Sequence, residues 1–160
     1  MAAKNRATPA TSALAQAGIG FIPHTYVHNP RAGSYGLEAA EVLKVDAARV
    51  FKTLMTDVDG ELCVGIVPVD SKLDLKAVAA AFGAKKAQMA DPAAAERATG
   101  YVVGGISPIG QKKRHRTVLD ASASDWPTVY VSGGRRGFDL ELSPVDLVDV
   151  TAAVVAAIAR

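Results

Sequence analysis

The chain has 160 residues, of which 49% are hydrophobic and 21% charged, a length and balance that fit one domain with a sizeable core and exclude global disorder. Aromatics make up only 6%, so aliphatic and alanine packing must build the interior, and a formal charge of +2 permits a polyanionic partner without demanding one. The single cysteine, Cys63, excludes an intrachain disulfide and any multi-cysteine zinc site, and fits a reducing compartment.

Lys4 and Arg6 precede no apolar stretch of the secretory type, and Lys, Asp, Glu or Gly breaks every apolar run before about 18 residues. A single soluble, cytoplasmic domain over residues 1–160 is expected, with no membrane partner.

Thr8-Pro9 reads as a cap followed by proline at the first helical position, with Gly18 as the stop. Phe21–His28 alternates like a strand, and a loop with Asn29, Pro30 and Gly33 leads to a short helix near Leu37–Val45. Val50–Thr56 and Leu62–Val67 form a hairpin around Asp57-Val58-Asp59-Gly60. Asp74 opens a helix through Phe82, and Asp91-Pro92 opens another to Thr99 with Gly100 as its stop. Tyr101–Val103 reads as a short strand running into the turn-rich Gly104–Gly110. The basic cluster Lys112–Arg116 precedes a strand at Thr117–Leu119, and Thr128–Ser132 and Phe138–Leu142 flank Gly133–Gly137. Ser143-Pro144 caps the last helix, with Asp146 completing an approximate capping box and Val150–Ile158 as its apolar end. Strands joined by hairpins, interleaved with helices, predict an α+β fold: a curved, mixed and mostly antiparallel sheet, barrel-like, wrapped by helices.

Several familiar motifs fail. Gly105–Lys112 lacks the lysine directly after its second glycine that a P-loop needs, and a strand follows instead of a helix. Ser107 lacks the glycine two positions on that a nucleophile elbow requires. On a strand, His24 and His28 would lie about 13 Å apart at ~3.3 Å per residue, too far to share a metal. They read as surface or edge histidines, and Cys63 as a buried, inert thiol.

Three features remain. Lys52 interrupts an apolar strand, where an ammonium must either snorkel to solvent or face a wet cleft as a fixed cation. Thr53 beside it points to the opposite face of a regular strand, so both serve one site only if the backbone bends or Thr53 offers its amide. Gly104-Gly105 and Gly133-Gly134 each follow a strand and precede basic residues. They are either tight turns or places where an anion approaches backbone N–H groups. Lys112, Lys113, Arg114, Arg116, Arg135 and Arg136 could form a rim facing a polyanion, or a solvated charge run. Asp139 shares a face with Glu141, opposite Phe138, Leu140 and Leu142. It is either solvent-facing or a carboxylate that orients an amine or hydroxyl in a cleft.

Together these stretches resemble the YbaK/EbsC family. The likeness runs through His24-Thr25-Tyr26, Phe51-Lys52-Thr53-Leu54, Leu73–Lys76, Gly83–Lys86, Met89–Pro92, Thr99–Tyr101, Gly104–Lys113, Tyr130–Gly134 and Arg136-Gly137. The stretch from Thr99 to Lys113 is long and specific. The resemblance implies a compact α+β domain related to the editing domain of prolyl-tRNA synthetases. It also implies trans-editing activity: release of cysteine from mischarged Cys-tRNA(Pro), with Cys-tRNA(Cys) as a further candidate substrate. Lys52 matches the family's essential lysine. Tyr26, Tyr35, Gly105 and Asp139 match pocket positions, with Tyr35 standing where related sequences carry Phe. Thr53 and the loop Gly104, Gly105, Ile106 and Ser107 would bind substrate, and Lys112, Lys113, Arg114, Arg135 and Arg136 would face tRNA. No cofactor or metal is expected. The partners implied are aminoacyl-tRNA and, transiently, prolyl-tRNA synthetase. The resemblance implies that the substrate's own thiol attacks its ester, or that the pocket positions the ester for cleavage. A deacylase for another misacylated tRNA such as Ala-tRNA(Pro), or a non-catalytic tRNA- or synthetase-binding module, are the alternatives.

Overall fold

The computed structural model describes residues 7–160, so Lys4 and Arg6 lie outside the described residues. The chain begins with α1 (Pro9–Gln16), β1 (Ile22–Thr25) and α2 (Tyr35–Leu43). Next come the hairpin strands β2 (Phe51–Val58) and β3 (Glu61–Pro68), then α3 (Leu75–Ala81), β4 (Ala87–Met89) and α4 (Pro92–Thr99). It closes with β5 (Arg116–Asp120), β6 (Val129–Arg135), β7 (Phe138–Leu142), α5 (Pro144–Thr151) and β8 (Val154–Ala156).

Side-chain caps start the helices where the sequence places them. The Thr8, Asp74, Asp91 and Ser143 side chains accept from backbone amides of their first turns, and Thr8 forms a reciprocal box with Thr11. The strands form a three-stranded antiparallel sheet, β1-β7-β6, and a five-stranded sheet, β4-β2-β3-β5-β8, in which β3-β5 and β5-β8 run parallel. A bridge between Val50 and Tyr130 joins the two sheets. The main core lies between them and includes Phe51, Ile66, Leu119, Phe138, Leu140 and Leu147, all almost inaccessible. Each such side chain contributes about 1.5–3 kcal/mol by leaving water. The fold is thus the α+β arrangement expected, with its mixed sheet divided in two.

Three local expectations differ. The first strand is only Ile22–Thr25, because the chain leaves the ladder after Tyr26 N–H donates to Gly137. Tyr101–Val103 is not a strand: the buried Tyr101 hydroxyl donates to the Ile109 carbonyl, and Val102 and Val103 are exposed. The last helix stops at Thr151, where Ala152 takes φ 55°, and the following residues add β8 as a parallel edge instead of an apolar helical end. Of the two readings open for Asp139 the solvent-facing one fails: the residue is only 7% exposed, because β7 is the central strand of its sheet and is covered on both faces. The sequence reading also misses β4.

Cys63 is buried, as expected, and burial pushes its thiol upward. The two histidines are half-buried, each against its own carboxylate: His24 with Glu141 at 2.9 Å and His28 with Glu38 at 2.7 Å. No helix among the described residues is long and apolar enough to cross a membrane.

Candidate active site

β2 pairs with β3 along its whole length, but its other edge is only partly covered. The bridge to Tyr130 holds that edge at Val50, and β4 takes it up from Thr56 onward. Between these points the edge opens into a cavity of about 380 Å³. Because the cavity follows an edge, successive residues from Val50 to Met55 all line it. Lys52 and Thr53 therefore reach one site although their side chains alternate.

Lys52 is half-buried. Removal from water lowers its ammonium below the ordinary lysine range, and the nearby Asp70 carboxylate pulls it back up. The Thr53 hydroxyl is buried and has no hydrogen-bond partner among the described residues. Asp139 enters from the other sheet, opposite Ser132 of β6 and His24 of β1 in the strand register. Burial alone pushes its carboxyl up to about 7, and no hydrogen bond or ion pair reaches it among the described residues. Glu141, two residues along the same face, is satisfied by His24, Thr128 and Arg49. The polar face of this sheet thus holds one neutralised carboxylate and one unpaired carboxyl, and the unpaired one lines the cavity. Burial and the charges of Asp139 and Glu38 also raise the Tyr26 phenol, keeping it a neutral donor.

Tyr35 stands at the cavity's edge, on the first residue of α2. The segment before it is pinned by Glu38, whose carboxylate accepts from the Asn29 amide at 2.6 Å and contacts His28. Gly104 lies under the Tyr35 ring. Its φ of +88° suits glycine, and a Cβ there would stand 2.7 Å from the ring. The floor is apolar, with Phe51, Leu54, Met55, Ala95 and Ile106.

Of the residues singled out in the sequence, Lys52, Tyr26, Tyr35, Thr53, Gly104, Ile106 and Asp139 converge on this cavity. Gly105 and Ser107 do not line it. Gly105 packs against the backbone of Arg135 and Arg136, and the buried Ser107 hydroxyl accepts from the Ile109 amide. Lys112, Lys113 and Arg114 are exposed on the loop leading into β5, away from the lining. Arg135 stacks on Phe138 at 4.2 Å, and Arg136 stacks on Tyr35 at 5.1 Å. The sequence reading misses Ser132, Met55 and Met89 in the lining and Asp70 as the charge beside Lys52. The hairpin register was the available signal for Asp70: Phe51 opposes Pro68, which sets Asp70 just beyond the start of β2.

A cation and an unpaired acid facing one cavity, with Thr53 in its wall, can bind and polarise a small polar ligand. Among the described residues no cysteine or histidine lines the cavity, which there offers no nucleophile–base pair of the Ser/His or Cys/His kind. The model of the aminoacyl-tRNA editing-domain family matches residues 31–150, and with this fold it defines the class of the chain as an aminoacyl-tRNA editing domain. The chain is 40% identical over 114 residues to the "Putative Cys-tRNA(Pro)/Cys-tRNA(Cys) deacylase EbsC" of Enterococcus faecalis, covering 70% of this chain and 69% of that protein. It is 33% identical over 111 residues to YwhH of Bacillus subtilis, covering 69% and 70% respectively. Within its class the chain belongs to the YbaK/EbsC family.

Solved structures agree on the fold. The hypothetical protein APE2540 superposes with a TM-score of 0.85 at 27% identity, over 96% of this chain and 100% of that one. The crystal structure of "a putative trans-editing enzyme for prolyl tRNA synthetase" gives 0.83 at 22% identity over 95% of each chain.

Proposed function

We propose that this chain is a trans-acting aminoacyl-tRNA deacylase that removes cysteine from mischarged Cys-tRNA(Pro), with Cys-tRNA(Cys) as a second candidate substrate. The observation that carries the reading is the convergence of Lys52, Thr53 and the Asp139 carboxyl on one apolar-floored cavity. Its volume suits the aminoacyl end of a charged tRNA. Family membership and the likeness to EbsC support the same activity.

An aminoacyl ester is already activated, so the site needs positioning and electrostatics more than a strong nucleophile. In this reading Asp139 orients the substrate's α-ammonium, and Lys52 stabilises the oxyanion or a terminal phosphate. The substrate's thiolate sulfur bonds to its own ester carbonyl carbon. The tetrahedral oxyanion then collapses, breaking the bond to the ribose oxygen, which takes up the proton released by the thiol. Cysteine leaves as a thiolactone that water opens. Few phosphate contacts leave tRNA identity to prolyl-tRNA synthetase in a transient complex.

Single-turnover deacylation of tRNA(Pro) charged with Cys, Ser or Ala, followed across pH, tests this. Cys-tRNA should react far faster than Ser-tRNA, with a rate that rises as the thiol titrates near a pKa of about 8.5. Equal Cys and Ser rates would return the step to water attack. A preference for Ala would reassign the substrate, and ester retained on bound tRNA would make the protein a sequestering module.

A further inference from the structure

We propose that Arg136 is a positioning residue for this site: it fixes and polarises the Val103–Gly104 peptide so that the Gly104 N–H serves the substrate ester. The inference rests on the deacylase reading above. Three loops meet at the cavity mouth: the β6–β7 turn with Arg136, the start of α2 with Tyr35, and the segment after α4 with Val103 and Gly104. Arg136 Nε and Nη2 both donate to the Val103 carbonyl oxygen, at 3.0 Å and 2.7 Å. From the other side, the Glu96 carboxylate accepts from the Val103 amide at 2.8 Å. Val103 is thus clamped at both ends by opposite charges. The guanidinium also lies over the Tyr35 ring, and that ring covers Gly104.

The chemistry follows from the peptide itself. The Val103 carbonyl and the Gly104 N–H belong to one trans amide, so a cation on the oxygen leaves the N–H directed away from the guanidinium. A charge-assisted bond on the carbonyl draws electron density toward oxygen and makes that N–H a stronger donor. Gly104 lines the cavity, and its N–H has no partner among the described residues. It is a donor held in reserve for an oxygen that only a bound ligand brings. Lysine cannot do the same work, because it lacks the planar fork that chelates a carbonyl while stacking on a ring.

Arg136→Ala and Arg136→Lys separate this role from a contact with tRNA phosphate. The assays use Cys-tRNA(Pro) and the phosphate-free ester cysteinyl-adenosine, together with the Gly104 and Gly105 amide signals by NMR. Both variants should lose about 10- to 100-fold in kcat on the nucleoside ester with KM little changed. The lysine variant should not rescue, the salt dependence of tRNA binding should be unaltered, and the Gly104 amide resonance should move. Full kcat on cysteinyl-adenosine, with weaker tRNA binding and a salt slope shallower by about 1, would overturn the proposal in favour of a phosphate contact. An unmoved Gly104 resonance would overturn it too. If the alanine variant fails to fold, the lysine variant carries the test. A wild-type protein inert toward every ester would instead defeat the deacylase reading, while the Gly104 resonance would still decide whether Arg136 holds the peptide.

Discussion

Replacing Asp139 by Asn should reverse part of the protein's response to pH. The buried Asp139 carboxyl titrates near 7 in the folded chain, against an ordinary value of 3.8. Between those values the folded state holds a proton that the unfolded state has lost, so stability falls as pH rises, by about 1.4 kcal/mol per unit. Across the whole window this amounts to about 4 kcal/mol, fully lost above the folded pKa. Glu38, Glu141 and Asp120 are held below their usual range, so their contributions run the other way and are complete by about pH 5. Asn leaves an unpaired amide in the same place, at a cost of about 1–3 kcal/mol that does not change with pH. The slope is therefore the sharper observable. Burial lowers the His115 imidazole, so both proteins gain some stability with pH up to about 6.5, and the difference between them isolates Asp139. Urea unfolding from pH 5 to 8.5 should show the wild type losing stability relative to the variant through neutrality, with the variant more stable by about 1–3 kcal/mol at the alkaline end. Parallel curves would show that Asp139 is not a buried, unpaired acid. Deacylation by the variant should fall, since an amide cannot pair with an ammonium.

Lys52→Ala should slow deacylation by about 100-fold or more while circular dichroism and the unfolding midpoint stay near wild type; wild-type turnover would remove Lys52 from the mechanism. Thr53→Val, which deletes a buried hydroxyl with no partner among the described residues, should hold stability level or raise it by about 1 kcal/mol in urea unfolding, and a clearly destabilised variant would mean the hydroxyl is satisfied. Asp120→Ala should cost about 2–4 kcal/mol, because its carboxylate accepts from the buried amide of Ile158 and the half-buried amide of Ala159. Those bonds and Ser122 outweigh burial and hold Asp120 below the usual range. In the wild type their contribution is therefore present above about pH 4 and lost below it, which acid titration of the two proteins would show as a converging difference.

Features written in short stretches of chain were legible before the structure. Thr8, Asp74, Asp91 and Ser143 announce helix starts because capping needs only a side chain and the next few amides. Asp59-Gly60 announces the hairpin for the same reason. Lys52 was conspicuous as a lone cation in an apolar strand, and the structure places it in the cavity. Asp139 was harder, since alternation along β7 puts it opposite Leu140 but does not say whether the second face meets water or another layer. Val154–Ala156 looked helical because an apolar run carries no period of its own, and only its pairing with β5 makes it a strand. Ser132 and Met89 could not have been found, because they join the site across a gap that exists only once both sheets are assembled. The sequence reading puts Arg136 in a basic rim facing tRNA, and nothing local shows that its head is engaged by a carbonyl 33 residues away.

The open edge of β2 bears on how such a domain diversifies. Part of the cavity wall is main chain, offered where one neighbouring strand has ended and the next has not begun. Backbone geometry survives almost any side-chain replacement, so mutation cannot readily erase this part of the pocket. Selection can therefore exchange floor residues such as Met55 or Ile106 and retune which aminoacyl group fits, while the strand edge beside Lys52 keeps its place. A descendant with a new preference would inherit its binding frame intact and need to change only a few residues of the floor.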